Sequence, residues 1–211
     1  MASFIIHIAV ANEINKVTKR DSRKLLIGTI APDISKLVGE TKVYSHFLDK
    51  DEDSIPNLNM FLKKYKCKLN DDFVLGYYIH LYTDYLWYKY FMSEIIKKDV
   101  VTKLDGTVVK CDDVSKYVYN DYTNLNVRLI DEYDLDYKIF YEEIPEMEDI
   151  IDEIPMKDLY MIVNQAGLII SNSKRSKEYI FNVEQVKRFI DVSVKYILSN
   201  LNELGIIENQ D

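Results

Sequence analysis

The sequence has few of the residues that interrupt or crosslink a chain. Its 211 residues include only 6 glycines, 4 prolines and 2 cysteines. Scarce glycine and proline favour long regular elements, because these residues are the strongest local breakers of helices and strands. Cys67 and Cys111 have no second cysteine or histidine at zinc-ligand spacing. We therefore expect ordinary thiols, and neither a disulfide framework nor a zinc finger.

Positive charge is also in short supply. There are 27 Lys and Arg residues against 35 Asp and Glu residues, which gives a formal net charge of −8. Affinity for long nucleic acid comes from clustered Lys and Arg, so this class of partner is not expected. No apolar run reaches the roughly 18 residues that a membrane span needs. The N-terminal stretch MASFIIHIAVANEI has no basic segment and no clear cleavage site, so we expect a cytoplasmic protein.

What is present suits a packed helical protein. The composition is 47% hydrophobic and 29% charged, without an internal repeat or a low-complexity linker, and it predicts one domain over residues 1–211. Apolar spacing and capping residues predict the following helices. They cover residues 3–19, 21–30, 55–68, 70–98, 112–133, 156–173 and 182–204.

The intervening segments are less regular. Residues 31–55 are expected to be mostly loop, and residues 134–155 form an acidic, irregular stretch. Two β-branched runs flank Asp105 and Gly106, which predicts a β-hairpin near residues 99–111. The fold class that follows is all-α, a single multi-helix domain with one small hairpin.

Five polar residues interrupt apolar surroundings and include every histidine of the chain. They are His7, Asp33, His46, His80 and Asp84. His80 and Asp84 are one helical turn apart, so their side chains share a face. Two ligands on one helical face can bind a metal ion, and zinc accepts both imidazole nitrogen and carboxylate oxygen. A hydrogen-bonded pair in the core is the commoner reason for this spacing, and the pair alone leaves both interpretations open.

The order of these residues resembles the zinc-dependent phospholipase C family and the related fungal zinc nucleases. The resemblance covers about residues 1–90, in the segments HIA, GTIAPD, SHF and GYYIHLYTD. It implies a phospholipase C-like helical fold with a metal site built from residues 7–84. By position, His46 and His80 would be nitrogen ligands, and Asp33 and Asp84 would be carboxylate ligands. His7 would serve a second ion, with Asp84 able to bridge the two.

The chain departs from the family pattern beyond Asp84. The family has two further histidines and a glutamate there, whereas no histidine follows His80 and Tyr90 stands where the next would fall. The family also uses the amine of the mature N-terminus, and no processing signal is visible here. We therefore expect one or two zinc ions rather than three, and manganese or iron would also suit such ligands. Asp121 is a further candidate carboxylate, although a solvated helix charge explains it more readily.

The resemblance implies a zinc-dependent hydrolase of phosphate esters in a small molecule or a lipid head group. The ion would acidify a water that attacks phosphorus, and Asp33 or Asp84 would act as the catalytic residue that orients it. Two alternatives stay open at this point. The first is a non-catalytic metal-binding or regulatory protein with a reduced site. The second is a metal-free protein whose histidines are hydrogen-bonded in the core.

Overall fold

The chain is mostly helical, with one small antiparallel sheet. The computed structural model describes residues 2–52, 54–97 and 99–207; Met1, Asp53, Lys98 and residues 208–211 lie outside this range. The α-helices are α1 (Phe4–Thr18), α2 (Ser22–Ile30), α3 (Lys42–Ser45), α4 (Leu58–Tyr65), α5 (Asp72–Leu86), α6 (Ser93–Ile95), α7 (Ser115–Glu132), α8 (Leu159–Asn172) and α9 (Val183–Glu203). The strands are β1 (Ile96–Lys97), β2 (Val100–Thr102) and β3 (Val108–Lys110). None of the described helices is both long and apolar enough to cross a membrane.

Helix starts coincide with side chains that cap exposed backbone N–H groups. Ser3 accepts a hydrogen bond from the third residue of α1, and Asp21 does the same for two N–H groups of α2. Asp71 caps α5, and Asn182 forms a reciprocal capping box with Gln185 at the start of α9. Such caps satisfy donors that have no partner within the helix. The helix starts predicted at Ser3 and Asp21 are therefore confirmed.

Two segments differ from the sequence prediction. Residues 31–55 contain a 3₁₀ helix, Ala31–Lys36, which continues directly from α2 and is followed by the short α3. Pro32 lies in the first turn of this 3₁₀ helix, where the φ fixed by its ring is compatible with helical backbone. The long helix predicted over residues 70–98 is wrong in its last part. A π-helical turn, Trp87–Met92, follows α5, and the chain then enters β1 through α6.

The hairpin is part of a slightly larger sheet. Strands β2 and β3 pair antiparallel around the predicted turn, with Val101 opposite Val109. Strand β1 adds to the other edge of β2, so the order is β1-β2-β3. The sequence predicts helix for the two residues of β1, because the apolar spacing of the preceding helix continues through them.

Helices α2 and α5 pack with their backbones in contact. A Cβ atom on Gly28 would lie 2.1 Å from the carbonyl oxygen of Phe73, and one on Gly76 would lie 2.0 Å from that of Leu25. No side chain fits in that space, so the two glycines set the closest approach of the helices. Helix α1 packs against both α2 and α5, and α9 contacts α1 and α5. The interior side chains of these helices form one continuous hydrophobic core.

The acidic segment of residues 134–155 is irregular, as predicted, apart from a 3₁₀ turn at Tyr137–Tyr141. Near its C-terminal end, the segment forms hydrogen bonds with the last two residues of α4. Glu153 accepts hydrogen bonds of 2.6 Å from both the Tyr65 hydroxyl and the Lys64 ammonium group. The backbone N–H of Asp152 donates to the same tyrosine oxygen at 3.0 Å.

Replacing Gly28 by alanine is expected to lower the free energy of unfolding by roughly 1–3 kcal/mol or more, the usual cost of overpacking. Helix propensity alone predicts the opposite sign, because alanine is about 1 kcal/mol better than glycine inside a helix. Urea denaturation of both proteins measures the difference. Gly39→Ala is the control: its site is open but has a φ of +76°, and a smaller cost of about 1 kcal/mol is expected. A Gly28→Ala protein more stable than the wild type would contradict the backbone contact.

Candidate metal centre

The five predicted residues meet in the interior of the helical domain. His7 lies on α1, Asp33 in the 3₁₀ helix after α2, and His46 directly after α3; His80 and Asp84 lie on α5. Asp33 is 5% exposed, and each of the other four is 1% exposed or less. The side chains form two overlapping groups of three residues, and within each group the potential ligand atoms lie within 4.8 Å of one another. These groups are His7 with His80 and Asp84, and Asp33 with His46 and His80.

Main-chain contacts orient the imidazole of His80. Its Nδ1 lies 2.7 Å from the carbonyl oxygen of Thr29. A carbonyl oxygen only accepts hydrogen bonds, so Nδ1 carries the proton and Nε2 presents a lone pair to the interior. Nε2 of His46 lies 3.2 Å from this atom. The pair fits either a hydrogen bond donated by His46 or a cation shared by the two nitrogens.

The ring of His46 is supported from behind. Its Nδ1 lies 2.9 Å from the hydroxyl oxygen of Ser45. The carbonyl oxygen of Ser45 accepts a hydrogen bond from the Tyr77 hydroxyl on α5. Burial raises the pKa of Tyr77 well above its ordinary value, so the hydroxyl stays a donor. Contacts of this kind behind a histidine fix its orientation in metal sites.

The spacing of the candidate ligand atoms fits a small metal ion. Two nitrogens bound to one tetrahedral zinc at about 2.0–2.1 Å are about 3.3 Å apart, and the two Nε2 atoms are separated by 3.2 Å. Asp33 Oδ1 lies 3.6 Å from Nε2 of His46, and Asp84 Oδ2 lies 3.7 Å from Nε2 of His80. Asp84 Oδ2 is also 3.9 Å from Nε2 of His46. These carboxylate distances are slightly longer than a tetrahedral ion requires.

Several polar atoms of the cluster have no hydrogen-bond partner among the described residues. They are Asp33 Oδ1, Asp84 Oδ2 and both ring nitrogens of His7. A buried polar atom without a partner costs roughly 1–3 kcal/mol, so a concentration of such atoms in one place needs a compensating contact. An ion bound among them would supply it.

His7 occupies a distinct position in the cluster. Its ring stacks on that of His80, with centroids 3.9 Å apart and planes inclined by 10°. His7 Nε2 lies 3.3 Å from Asp84 Oδ1, an oxygen that also accepts a 2.9 Å hydrogen bond from the backbone N–H of Ala2. The contact to His7 is close, but its orientation is poor for a hydrogen bond.

The protonation states suit metal binding at neutral pH. Burial lowers the pKa of His80 to about 3, with a further contribution from His7, so its imidazole is neutral. Burial would raise the pKa of Asp84, but its close contact with His7 outweighs this effect, and the pKa lies well below the usual value. Burial of Asp33 is likewise outweighed, chiefly by its contact with His46, and its pKa is lowered. Neutral imidazole and ionised carboxylate are the forms that bind metals.

The negative charge of the cluster is poorly compensated by the protein itself. The ammonium group of Lys36 lies 3.7 Å from Asp33 Oδ1, but its side chain is half exposed. The two buried carboxylates therefore face the neutral imidazole of His80 and one half-exposed ammonium group. Burial of uncompensated charge is unfavourable, and a divalent cation would remove the imbalance.

Two further residues from the sequence analysis lie apart from the cluster. Tyr90 is 51% exposed in the π-helical turn. Asp121 is buried, which corrects the expectation of a solvated charge, and it belongs to neither group. Its carboxylate accepts three backbone hydrogen bonds of 2.6–3.2 Å from residues 179–181, the segment leading into α9. Asp121 is thus a structural anchor.

Sequence reasoning missed the groups that support the cluster. The carbonyl oxygen of Thr29 and the N–H of Ala2 act through the main chain, which leaves no residue-type signal. Ser45 precedes His46 directly, but a serine beside a histidine is too common to indicate a contact. No protein-family model, curated protein or solved structure matches this chain.

Acidification is expected to destabilise the chelator-treated protein through His80. Unfolded histidine has a pKa of about 6.5, whereas folding lowers the pKa of His80 to about 3. Between these values the unfolded chain binds one more proton, so the free energy of unfolding falls as the pH falls, by at most roughly 1.4 kcal/mol per pH unit. The aspartates add their own loss only near and below about pH 4, close to the pKa of an unfolded aspartate.

Urea denaturation between about pH 6.5 and 4.5 separates His80 from the aspartates. His80→Asn is the matched variant, because asparagine can still donate to the Thr29 carbonyl but does not titrate. The slope of stability against pH should be smaller in this variant than in the wild type. Equal slopes would contradict a buried neutral imidazole at this position.

Asp121→Ala is expected to lower the free energy of unfolding by roughly 2–4 kcal/mol, since more than one buried N–H is left without an acceptor. Its metal content, measured under conditions where it is folded, should equal that of the wild type. Loss of metal from a variant of unchanged stability would mean that Asp121 serves the cluster instead.

Proposed function

We propose that the protein is a zinc-dependent hydrolase of small phosphate esters, built on a phospholipase C-like helical domain. The observation that carries the proposal is the buried cluster of three histidines and two aspartates. Four separate segments of the chain deliver these side chains to one place. Two carboxylate oxygens of the cluster have no hydrogen-bond partner among the described residues, and two Nε2 atoms face each other at 3.2 Å. A bound ion would contact all four atoms, whereas hydrogen bonds among them leave the two oxygens without partners.

One ion is better supplied than two. Nδ1 of His80 is engaged by Thr29, so only Nε2 is free to bind, and both groups need this same atom. An ion held by Asp33, His46, His80 and Asp84 would leave His7 and Asp84 Oδ1 for a second, weaker site. Mixed imidazole and carboxylate ligands suit zinc, and also manganese and iron.

A zinc ion at these residues would act as a Lewis acid toward a phosphoryl oxygen and lower the pKa of a bound water. Asp33 also lines a cavity of about 560 Å³ that lies between the 3₁₀ helix, the π-helical turn, α7 and α8. A carboxylate has two oxygens, so one can contact an ion while the other orients a water by accepting its hydrogen bond. The lowered pKa of Asp33 makes it a weak proton acceptor, and orientation is the role we assign to it.

The near-complete burial of the cluster favours one alternative, a structural metal site in a binding or regulatory protein. Structural zinc is closed by four protein ligands, whereas catalytic zinc keeps a position for water or substrate. Cobalt substitution distinguishes the two, because the visible spectrum of cobalt responds to a change of ligands. A spectrum altered by added phosphate supports the hydrolase, and an unaltered spectrum supports the structural site.

Elemental analysis after zinc loading and dialysis should find about one zinc ion per wild-type chain. His80→Asn and Asp84→Asn should lose it, because each removes a ligand atom from the centre of the cluster. Asp121→Asn is the matched control, a buried aspartate outside both groups, and should retain zinc. Full zinc occupancy in both cluster variants, or none in the wild type, would contradict the proposal.

Hydrolysis of bis(p-nitrophenyl) phosphate and of p-nitrophenyl phosphate by the same proteins tests the reaction. The zinc-loaded wild type should release nitrophenol. His80→Asn should hydrolyse the esters roughly 100-fold more slowly or worse, because loss of a residue that only supports a metal ligand already lowers activity by up to about 100-fold. Zinc binding without hydrolysis of either ester would favour the structural alternative.

A further inference from the structure

A cavity of about 560 Å³ adjoins the cluster. It reaches the cluster at Asp33, which lines it directly, and at Ala2, whose N–H contacts Asp84. The rest of its wall comes mainly from the π-helical turn, α7 and α8. Most of this wall is apolar; its side chains include Leu37, Trp87, Tyr88, Val118, Tyr122 and Ile162.

The π-helical turn gives the cavity a rigid aromatic wall. Trp87 and Tyr88 lie in this turn and line the cavity. The Trp87 ring packs edge-on against Phe189, with centroids 5.0 Å apart, and against Phe181, with centroids 5.6 Å apart. A wall held in place before binding loses little conformational entropy when a ligand arrives. Single π-helical turns occur frequently at functional sites.

One cationic side chain of the cavity wall suits an anionic ligand. Lys36 lines the cavity beside Asp33 and supplies a positive charge at the edge of the cluster. A metal ion in the cluster would add a second positive centre close by. The volume lies within the roughly 300–1,000 Å³ typical of small-molecule sites, large enough for a ring and too small for a polymer.

We infer that the substrate is a small phosphate ester, and that this cavity receives the organic group that is esterified to the phosphate. That group is aromatic or compact and aliphatic. Lys36 is the specificity-determining contact to the anion, and the wall of Trp87, Tyr88 and Val118 selects the apolar group. The inference rests on the proposed function, because the cluster must hold an ion for the phosphate end to bind there.

Two phosphonates that are not hydrolysed test this selection by calorimetry on the zinc-loaded protein. Phenylphosphonate and methylphosphonate share the same anionic end and differ only in the apolar group. Phenylphosphonate should bind about tenfold more tightly or better, since its ring leaves water for an apolar wall. Lys36→Met should weaken the binding of both phosphonates, because it removes the ammonium group that pairs with the anionic end of each.

Val118→Phe is designed to fill the cavity from α7. It should reduce the preference for phenylphosphonate over methylphosphonate to about twofold or less. Val192→Phe is the matched control, since Val192 is 49% exposed on α9 and does not line the cavity. It should keep the wild-type preference.

The zinc content of each sample, measured alongside, distinguishes a loss of metal binding from a loss of ligand selectivity. A zinc-loaded protein that binds the two phosphonates equally, or binds neither, overturns the inference and leaves the metal site standing. An unchanged preference in Val118→Phe also overturns it. A wild-type protein that takes up no zinc overturns the proposed function, and the inference with it.

Discussion

The hydrogen bond between His80 and the main chain at Thr29 is the contact on which the cluster depends. It exists because Gly28 and Gly76 let α2 and α5 approach until their backbones touch. At a normal interhelical distance the carbonyl of α2 would be out of reach of the imidazole. The contact fixes the tautomer of His80 and points its second nitrogen at His46 and the two aspartates. A packing feature of two glycines thus sets the chemistry of a site one turn away.

The cluster is charged, whereas the cavity beside it is mostly apolar. The cluster concentrates two ionised carboxylates and three imidazoles where water is largely excluded, which is unfavourable without a cation. The wall of the cavity is mostly apolar. Asp33 belongs to both, and under the proposed function the anionic group of the substrate would bind beside Asp33 and Lys36, where the two meet.

The sequence predicted the features that local patterns encode. Caps such as Ser3 and Asp21 identified helix starts, and the spacing of His80 and Asp84 placed them on one face. The five candidate ligands are brought together, although their binding of metal stays a prediction. The π-helical turn at Trp87–Met92 was missed, because an apolar pattern around Trp87 suits a continuous α-helix equally well. The anchoring role of Asp121 depends on a segment almost sixty residues away, and no local pattern reports such a contact.

The ligands of the cluster and most of the cavity wall come from different parts of the chain. Every candidate ligand lies between residues 7 and 84, whereas α7 and α8, which complete the cavity, begin at Ser115 and Leu159. Substitutions in the later segment can therefore reshape the space beside the cluster without replacing a ligand. If the proposed function holds, reactivity and selectivity are encoded by different parts of the chain, so the choice of substrate can change while the ligands stay the same.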